Sequence, residues 1–228
     1  MIIMNRITVL LAEDHHLVRE GLRSLLAHEP DLEVVGEAAT GRQAVALVKK
    51  LRPAVVVMDI AMPLLNGLEA TRQIRKEFPD TKVLILSAHS DEAYVEKVAS
   101  LGAAGFLLKQ TSSQILAKAI REVQKGNTFF SVPLPRSALE RSRKSPAQGG
   151  KFQKKTNCLS SREVEVLQLI AEGKPNKQVA AELGVGFKTV DKHRQHLMGK
   201  LNIHDIAGLT RYAIAEGIIE STVRVTIV

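Results

Sequence analysis

The sequence predicts an α/β doubly wound (βα)5 domain followed by an all-α domain of four helices that contains a helix-turn-helix. Short apolar runs alternate with amphipathic stretches through the first half, whereas the last third shows helical spacing alone. Between them, residues 131–157 hold three prolines, a Gly-Gly pair and many basic side chains, which is typical of a linker. We therefore expect a first domain at 5–125, a linker at 126–156 and a second domain at 157–220.

Five β-rich runs in the first half are short enough to be strands, and a stretch with helical i, i+3, i+4 spacing follows each of them. Five consecutive βα units predict a doubly wound parallel sheet. The third run is apolar up to its terminal acid, Asp59, so we expect this strand to be buried on both faces. The expected strands are Ile7–Leu11, Leu32–Val35, Val55–Asp59, Lys82–Leu86 and Phe106–Leu108.

Four helices separated by short turns are expected in the last third of the chain. Ser160 or Ser161 can cap the first helix, and Glu163 completes a capping-box pattern with Ser160. Asn176 is the expected cap of the second helix. The turn Gly184-Val185-Gly186 then leads into the third helix, as in a helix-turn-helix. The four helices should end near residues 172, 183, 201 and 216.

The composition favours a cytoplasmic protein with a nucleic-acid partner. A single cysteine, Cys158, excludes an intramolecular disulfide framework. No apolar stretch approaches the ~20 residues that a membrane span needs, and the N-terminus lacks the pattern of a cleavable signal peptide. The net charge is +8, and residues 136–155 carry seven basic groups against one acid, Glu140. Such a basic segment indicates nucleic acid, although a solvated linker also carries charge.

Charged and polar side chains follow four of the expected strands, at the edge where open α/β sheets bind ligands. Glu13 and Asp14 follow the first strand, Asp59 ends the third, Ser87 ends the fourth and Lys109 ends the fifth. Three carboxylates in one place repel one another, so we expect a hard divalent cation, Mg²⁺, among them.

This set of groups suits phosphoryl transfer. An aspartate carboxylate can attack a phosphoryl group and form an acyl phosphate. The cation and Lys109 would neutralise the phosphoryl oxygens, and Ser87 would donate a hydrogen bond to them. Taken singly, each residue has a simpler interpretation: Glu13-Asp14 as a helix cap, Lys109 as a surface lysine and Ser87 as a strand-end hydroxyl. Their coincidence at strand ends favours a site.

These motifs resemble the receiver domain of response regulators, over about residues 5–125. The resemblance implies that Asp59 accepts phosphate from a sensor histidine kinase, and that Glu13, Asp14 and Asp59 hold Mg²⁺. It also implies that Ser87 and Phe106 form a switch pair. One departure is Gln110, where many receivers have proline after the lysine. The residues that carry the resemblance are Glu13-Asp14, Asp59, Met62-Pro63, Ser87, Phe106 and Lys109.

The last third resembles LuxR-type helix-turn-helix domains over about residues 157–218, through the stretches Leu159–Leu167, Gly173–Ala180, Lys188–His193 and Lys200-Leu201. Joined to a receiver, this is the architecture of the NarL/FixJ family of transcription regulators. The resemblance implies a homodimer when active and a near-palindromic promoter site.

The spacing of the third helix separates a packed stripe, containing Val190, Leu197 and Leu201, from a DNA-facing side. Lys192 and Gln195 are candidates for base edges. The candidates for contacts to DNA phosphates are Lys177, Lys188, Arg194 and Lys200. The expected DNA contacts are Lys177, Lys188, Thr189, Asp191, Lys192, Arg194, Gln195 and Lys200.

Asp191 stands where the family often has lysine, and two interpretations stay open. It can accept a hydrogen bond from a cytosine amino group, or it can cap its own helix.

Three other functions compete with a phosphorylation-controlled regulator. An aspartyl phosphatase would usually carry a second acid two residues after Asp59, and that position is Ala61. A small-molecule-sensing LuxR receptor does not account for the acid pocket. DNA binding that is independent of phosphate remains the third alternative.

Overall fold

The computed structural model describes residues 6–88, 92–132 and 159–219, except for the side chains of residues 92 and 93. The chain divides into two compact units, and each is considered by itself below. The basic segment 136–155, Cys158 and residues 221–228 lie outside the described residues. Among the described residues, no helix combines the length and apolar composition needed to cross a membrane.

The first unit is a parallel sheet with helices between its strands, which confirms the predicted α/β doubly wound class. The sheet has six strands in the order β2-β1-β3-β4-β5-β6. The strands are β1 (Ile7–Ala12), β2 (Leu32–Ala38), β3 (Val55–Asp59), β4 (Lys82–Ser87), β5 (Gly105–Leu108) and β6 (Phe129–Phe130). The helices are α1 (His16–Ala27), α2 (Gly41–Leu51), α3 (Gly67–Glu77), α4 (Glu92–Ser100) and α5 (Ser113–Gln124).

Burial of the central strands explains why their apolar runs continue without alternation. All five residues of β3 are buried, as the sequence predicts. On one face of the sheet, Val9, Val57 and Leu84 belong to a core cluster that includes Ile120 of α5 and Leu26 of α1. Successive side chains of a strand point to opposite faces of the sheet, so the strand residues that alternate with these face the helices on the other side.

A short sixth strand was not predicted, because the expected linker begins at residue 126. Phe129 and Phe130 pair with Gly105 and Phe106 of β5. A side chain at Gly105 would collide with the Phe129 carbonyl oxygen, so this pairing needs a glycine on β5. Two aromatic residues are too short a run to distinguish a strand from a loop before the partner strand is known.

The second unit consists of α6 (Ser161–Ala171), α7 (Asn176–Leu183), α8 (Phe187–Leu201) and α9 (Ile206–Ala215), which confirms the predicted four-helix domain. Ser160 caps α6 in a complete capping box with Glu163. The prediction that Asn176 caps the second helix is wrong: Pro175 occupies the cap position and Asn176 is already helical.

The turn between α7 and α8 is made by a glycine. Gly184 ends α7 with φ +62°, a left-handed conformation that a glycine adopts without steric strain. Val190 and Leu197 of α8 are fully buried in the core of this unit. Packing of this stripe holds α8 in place and turns its other side outward.

Candidate functional sites

The carboxyl ends of β1, β3 and β5 bring three of the predicted residues into direct contact. Lys109 Nζ lies 2.8 Å from Glu13 Oε2 and 3.0 Å from Asp59 Oδ2. Glu13 and Asp59 are almost completely buried, whereas the Lys109 side chain keeps 21% of its surface exposed. Residues that are 96 positions apart in the chain therefore share one ion-pair cluster.

Asp59 is held in an environment that opposes its charge. Burial, reinforced by the neighbouring Glu13 carboxylate, raises the pKa of Asp59 to about 7. Lys109 and the backbone N–H of Ile60, which donates to Asp59 Oδ1 at 2.8 Å, act in the opposite direction. Burial likewise disfavours the Lys109 ammonium, but contacts with both acids outweigh it and raise the pKa of Lys109. The two acids and the lysine are therefore interdependent.

The pocket also has the ligands of a divalent-cation site. Ligand atoms of Glu13, Asp14, His15 and Asp59 all lie within 4.8 Å of one another. Glu13 Oε2 and Asp14 Oδ1 are buried without an aligned hydrogen-bond donor, although Lys109 and His15 respectively lie close to them. Carboxylate oxygens of this kind fit Mg²⁺, which prefers hard oxygen ligands.

Ser87 and Phe106, the expected switch pair, are both buried on neighbouring strands. Ser87 is 2% exposed at the end of β4, and Phe106 is fully buried in β5. The backbone N–H of Lys109 donates to the Ser87 carbonyl at 2.7 Å, so the ends of β4 and β5 are tied together beside the pocket.

Three residues next to the pocket were not singled out from the sequence. Arg19 of α1 donates from Nη1 to the backbone carbonyl of Glu13 at 2.6 Å and from Nε to Glu37 Oε2 at 3.2 Å. His15 Nδ1 lies 3.1 Å from Glu13 Oε1 and 3.0 Å from Asp14 Oδ1. An arginine one turn into the helix that follows an acid pair is the signal that could have indicated Arg19.

Gly67 is the third such residue. It begins α3, and a side chain at this position would collide with the carbonyl oxygen of Asp59. The Gly67 N–H also donates to the Ile60 carbonyl at 2.8 Å. The start of α3 therefore approaches the end of β3 too closely for any residue other than glycine.

Helix α8 presents cations on the side opposite to its packed stripe. Lys188, Thr189, Lys192 and Gln195 are exposed on α8, and Lys177 is exposed on α7. Within the described parts of the chain, these lysines have no ion-pair partner within 4.0 Å. They are therefore available to an anionic ligand.

Two of the expected DNA contacts have partners inside the domain. Lys200 Nζ lies 2.6 Å from Glu163 Oε2, and Arg194 Nη1 donates to Asn176 Oδ1 at 3.2 Å. Burial acts to raise the pKa of Glu163, but hydrogen bonds from Lys200 and Ser160 outweigh it and lower that pKa. The capping box of α6 is thereby joined to the end of α8.

Asp191 does not cap its helix, so that interpretation is wrong. The cap position of α8 is Gly186, and Asp191 lies more than one turn inside the helix. Its Oδ2 atom accepts a hydrogen bond from Gln195 Nε2 at 3.1 Å.

Comparison with known families assigns a family to each of the two units. Residues 9–121 match the response regulator receiver domain, and residues 157–213 match the luxR family of bacterial regulatory proteins. The first match contains every predicted residue of the acid pocket, and the second contains every predicted DNA contact.

Individual relatives match over nearly the whole chain. The transcriptional regulatory protein DegU of Brevibacillus brevis is 38% identical over 212 residues, covering 88% of this chain and 90% of DegU. LiaR of Bacillus subtilis is 39% identical, covering 91% of this chain and 96% of LiaR. The structure of the Salmonella typhimurium RcsB response regulator is 28% identical with a TM-score of 0.58, covering 93% of this chain and 98% of RcsB. These relatives are regulators rather than hydrolases, and the chain belongs with them to the NarL/FixJ family of two-component response regulators, in which a receiver domain precedes a LuxR-type DNA-binding domain.

Proposed function

We propose that phosphorylation of Asp59 by a sensor histidine kinase controls binding of this regulator to DNA. The observation that carries the proposal is the contact of Lys109 with both Glu13 and Asp59 at the carboxyl edge of the sheet. Replacing such an ion-paired cluster by apolar residues often leaves stability unchanged or raises it, so stability alone does not explain a half-buried lysine between two buried acids, whereas a site that receives an anionic group does.

Glu13, Asp14 and Asp59 would hold Mg²⁺ in this pocket, since their carboxylate oxygens converge there. When bound, the ion neutralises charge on the phosphoryl oxygens. Arg19 holds the backbone of Glu13 in position through its hydrogen bond to the carbonyl. His15 contacts Glu13 and Asp14, the two acids that follow β1, and so lies beside two of the proposed Mg²⁺ ligands.

In the transfer itself, an Asp59 carboxylate oxygen attacks the phosphorus atom of a phosphohistidine. The new O–P bond forms as the P–N bond breaks, and the kinase histidine leaves with its electron pair. Lys109, already 3.0 Å from Asp59 Oδ2, stabilises the charge that develops on the phosphoryl oxygens. Ser87 and Phe106 would then respond as the switch pair, the hydroxyl by donating to the phosphoryl group.

The DNA-binding half would receive this signal as a homodimer on a near-palindromic promoter site. Lys177 and Lys188 would contact phosphates, together with Thr189, while Lys192 and Gln195 would contact base edges in the major groove. The structures similar to this chain include two RcsB dimers bound to two parallel DNAs, at 28% identity and a TM-score of 0.53 over 91% of this chain and 98% of RcsB.

Arg194 and Lys200 would act mainly by holding α8 in position, because both already have partners inside the domain. A protein that receives phosphate from a sensor histidine kinase and binds promoter DNA would work in the cytoplasm.

Labelling with a small phosphodonor in Mg²⁺ tests the phosphoacceptor. We expect Asp59→Asn to abolish incorporation of phosphate that alkali and hydroxylamine release, because the nucleophile that forms the acyl phosphate is removed without a change in size. Asp80→Asn is the matched control, since Asp80 is an exposed acid in the loop before β4. Undiminished labelling of Asp59→Asn would exclude Asp59 as the phosphoacceptor.

Footprinting of the wild-type protein with and without the phosphodonor tests the link to DNA. We expect a tighter and more extended footprint after phosphorylation. Equal footprints would favour DNA binding that is independent of phosphate.

A further inference from the structure

We infer that Asp191 orients Gln195 so that its amide recognises an adenine in the major groove. The inference rests on the proposed DNA binding and names one base that the regulator would select. It starts from the hydrogen bond in which Gln195 Nε2 donates to Asp191 Oδ2 at 3.1 Å, between residues one turn apart on α8. Gln195 is exposed and Asp191 half-buried, on the side of α8 that carries Lys188 and Lys192.

Asp191 has positively charged neighbours and yet bonds to a neutral amide. Lys188 precedes it by three residues and Arg194 follows it by three, which are spacings at which helical ion pairs form. In the described part of the chain, neither lies within 4.0 Å of the Asp191 carboxylate, and Arg194 donates to Asn176 instead. The carboxylate therefore acts on the conformation of Gln195 and not as one half of a surface salt bridge.

The consequence for Gln195 follows from the shape of a primary amide. The side chain has two N–H donors and one carbonyl acceptor. When Asp191 accepts from one N–H, the amide plane cannot rotate freely, and the other N–H and the carbonyl oxygen form a fixed donor–acceptor edge. Adenine presents the matching pair in the major groove, with N7 as acceptor and the N6 amino group as donor.

The negative charge of Asp191 has a second consequence. An acid on a DNA-facing helix repels phosphates, so it lowers affinity for DNA of any sequence. The same acid favours a correct base when it holds the residue that contacts that base. Asp191 thus increases discrimination between sequences in two ways: it weakens binding to DNA of any sequence, and it strengthens recognition of the correct base.

Selection of binding sites from random DNA by the full-length protein, in Mg²⁺ with a small phosphodonor, tests this inference. We expect an adenine preference at one position of each half-site in the wild-type protein. Gln195→Ala should remove that preference, and Asp191→Ala should weaken it by about fivefold or more, within the range that a bidentate base contact provides. Asp191→Asn should keep it, because the asparagine carbonyl can still accept from Gln195, while affinity for unrelated DNA rises.

Lys177→Ala is the control. Lys177 is an exposed cation on α7, so its replacement should reduce affinity for all sequences without altering the preference for adenine. Circular dichroism of each variant separates loss of recognition from loss of folding. An adenine preference that survives Asp191→Ala would overturn the inference, as would a cytosine preference that depends on Asp191. Failure of the phosphorylated wild-type protein to bind any DNA would instead overturn the proposed function, and this inference with it.

Discussion

The acid pocket and the exposed side of α8 use charge in opposite ways. In the pocket, Glu13, Asp59 and Lys109 are wholly or largely buried and contact one another within 3.0 Å. On α8, Lys188 and Lys192 are exposed and have no ion-pair partner among the described residues. Buried charges interact strongly with each other and weakly with salt, whereas exposed charges do the reverse. The two regions should therefore respond to different changes, and the following variants test that difference.

The largest expected effect is on the stability of the metal-free protein as pH changes. The pKa of Asp59 is raised from 3.8 to about 7 in the folded state, so folding is favoured when this carboxyl is protonated. Stability from this group is fully present below the unfolded pKa and is lost as pH rises through about 7. Between pH 5 and pH 8, Asp59→Asn should remove about 3 kcal/mol of this pH dependence.

Urea unfolding of wild-type and Asp59→Asn protein, followed by circular dichroism in a chelator, measures this difference at each pH. Subtracting the two curves cancels groups that are common to both, including His15, whose pKa is raised by Asp14 and Glu13. Saturating Mg²⁺ should restore stability at pH 8, because it binds the ionised pocket. Parallel curves in the chelator would show that Asp59 titrates in its ordinary range.

Lys109→Gln should reduce the rate of phosphorylation by about 100-fold or more, which is the usual effect of removing one preorganised donor. The glutamine is close in length but cannot neutralise Glu13 or Asp59. Lys188→Gln is the matched change on α8 and should leave phosphorylation unchanged. The labelling rate from a small phosphodonor measures both, and a Lys109→Gln protein that labels at the wild-type rate would remove Lys109 from the chemistry.

Much of the pocket could be predicted from the sequence, because its residues follow strands. Once five βα units are recognised, the rule that parallel strands end at one edge brings Glu13, Asp59 and Lys109 together without any distance information. The rule is local: it needs only the end of each strand. The close approach of Gly67 to the Asp59 carbonyl could not be predicted in this way, because it depends on where α3 packs.

The exposed side of α8 was predicted less completely, because contacts between helices, like the position of α3, do not follow from local spacing. Spacing alone separates the buried Val190 and Leu197 from the exposed residues. Spacing cannot show that Lys200 bonds to Glu163, which lies 37 residues earlier. The short strand β6 was missed similarly, because its pairing with β5 decides it. The cap at Pro175 was missed for a local reason: its backbone carbonyl already accepts from Gln178 and Val179, so the helix begins one residue earlier than a side-chain cap at Asn176 would place it.

Arg19→Ala should weaken Mg²⁺ binding by about 10-fold, because residues that hold the ligands of a metal typically contribute 10- to 100-fold to affinity. Arg19 donates to the Glu13 carbonyl, and only 14% of its side chain is exposed. Arg23→Ala is the control, since Arg23 pairs with the same Glu37 at 3.5 Å but does not contact Glu13 in the described structure. Calorimetric titration measures the Mg²⁺ affinity of both variants. Equal Mg²⁺ affinities of Arg19→Ala and Arg23→Ala would show that Arg19 does not position the metal ligands.

The smallest expected effect is on the salt dependence of DNA binding, and it separates two lysines of one helix. Lys188→Gln should reduce the slope of log affinity against log salt by about 1, because an exposed lysine that neutralises a DNA phosphate releases a counterion. Lys200→Gln should leave the slope nearly unchanged and destabilise the domain instead, because it leaves the buried Glu163 carboxylate without its 2.6 Å partner. Lys49→Gln, an exposed change on α2, should alter neither quantity. Binding isotherms at several salt concentrations, with thermal melts of each variant, measure both effects. A reduced slope for Lys200→Gln with unchanged stability would return Lys200 to the DNA contacts and show that its pairing with Glu163 opens when DNA binds.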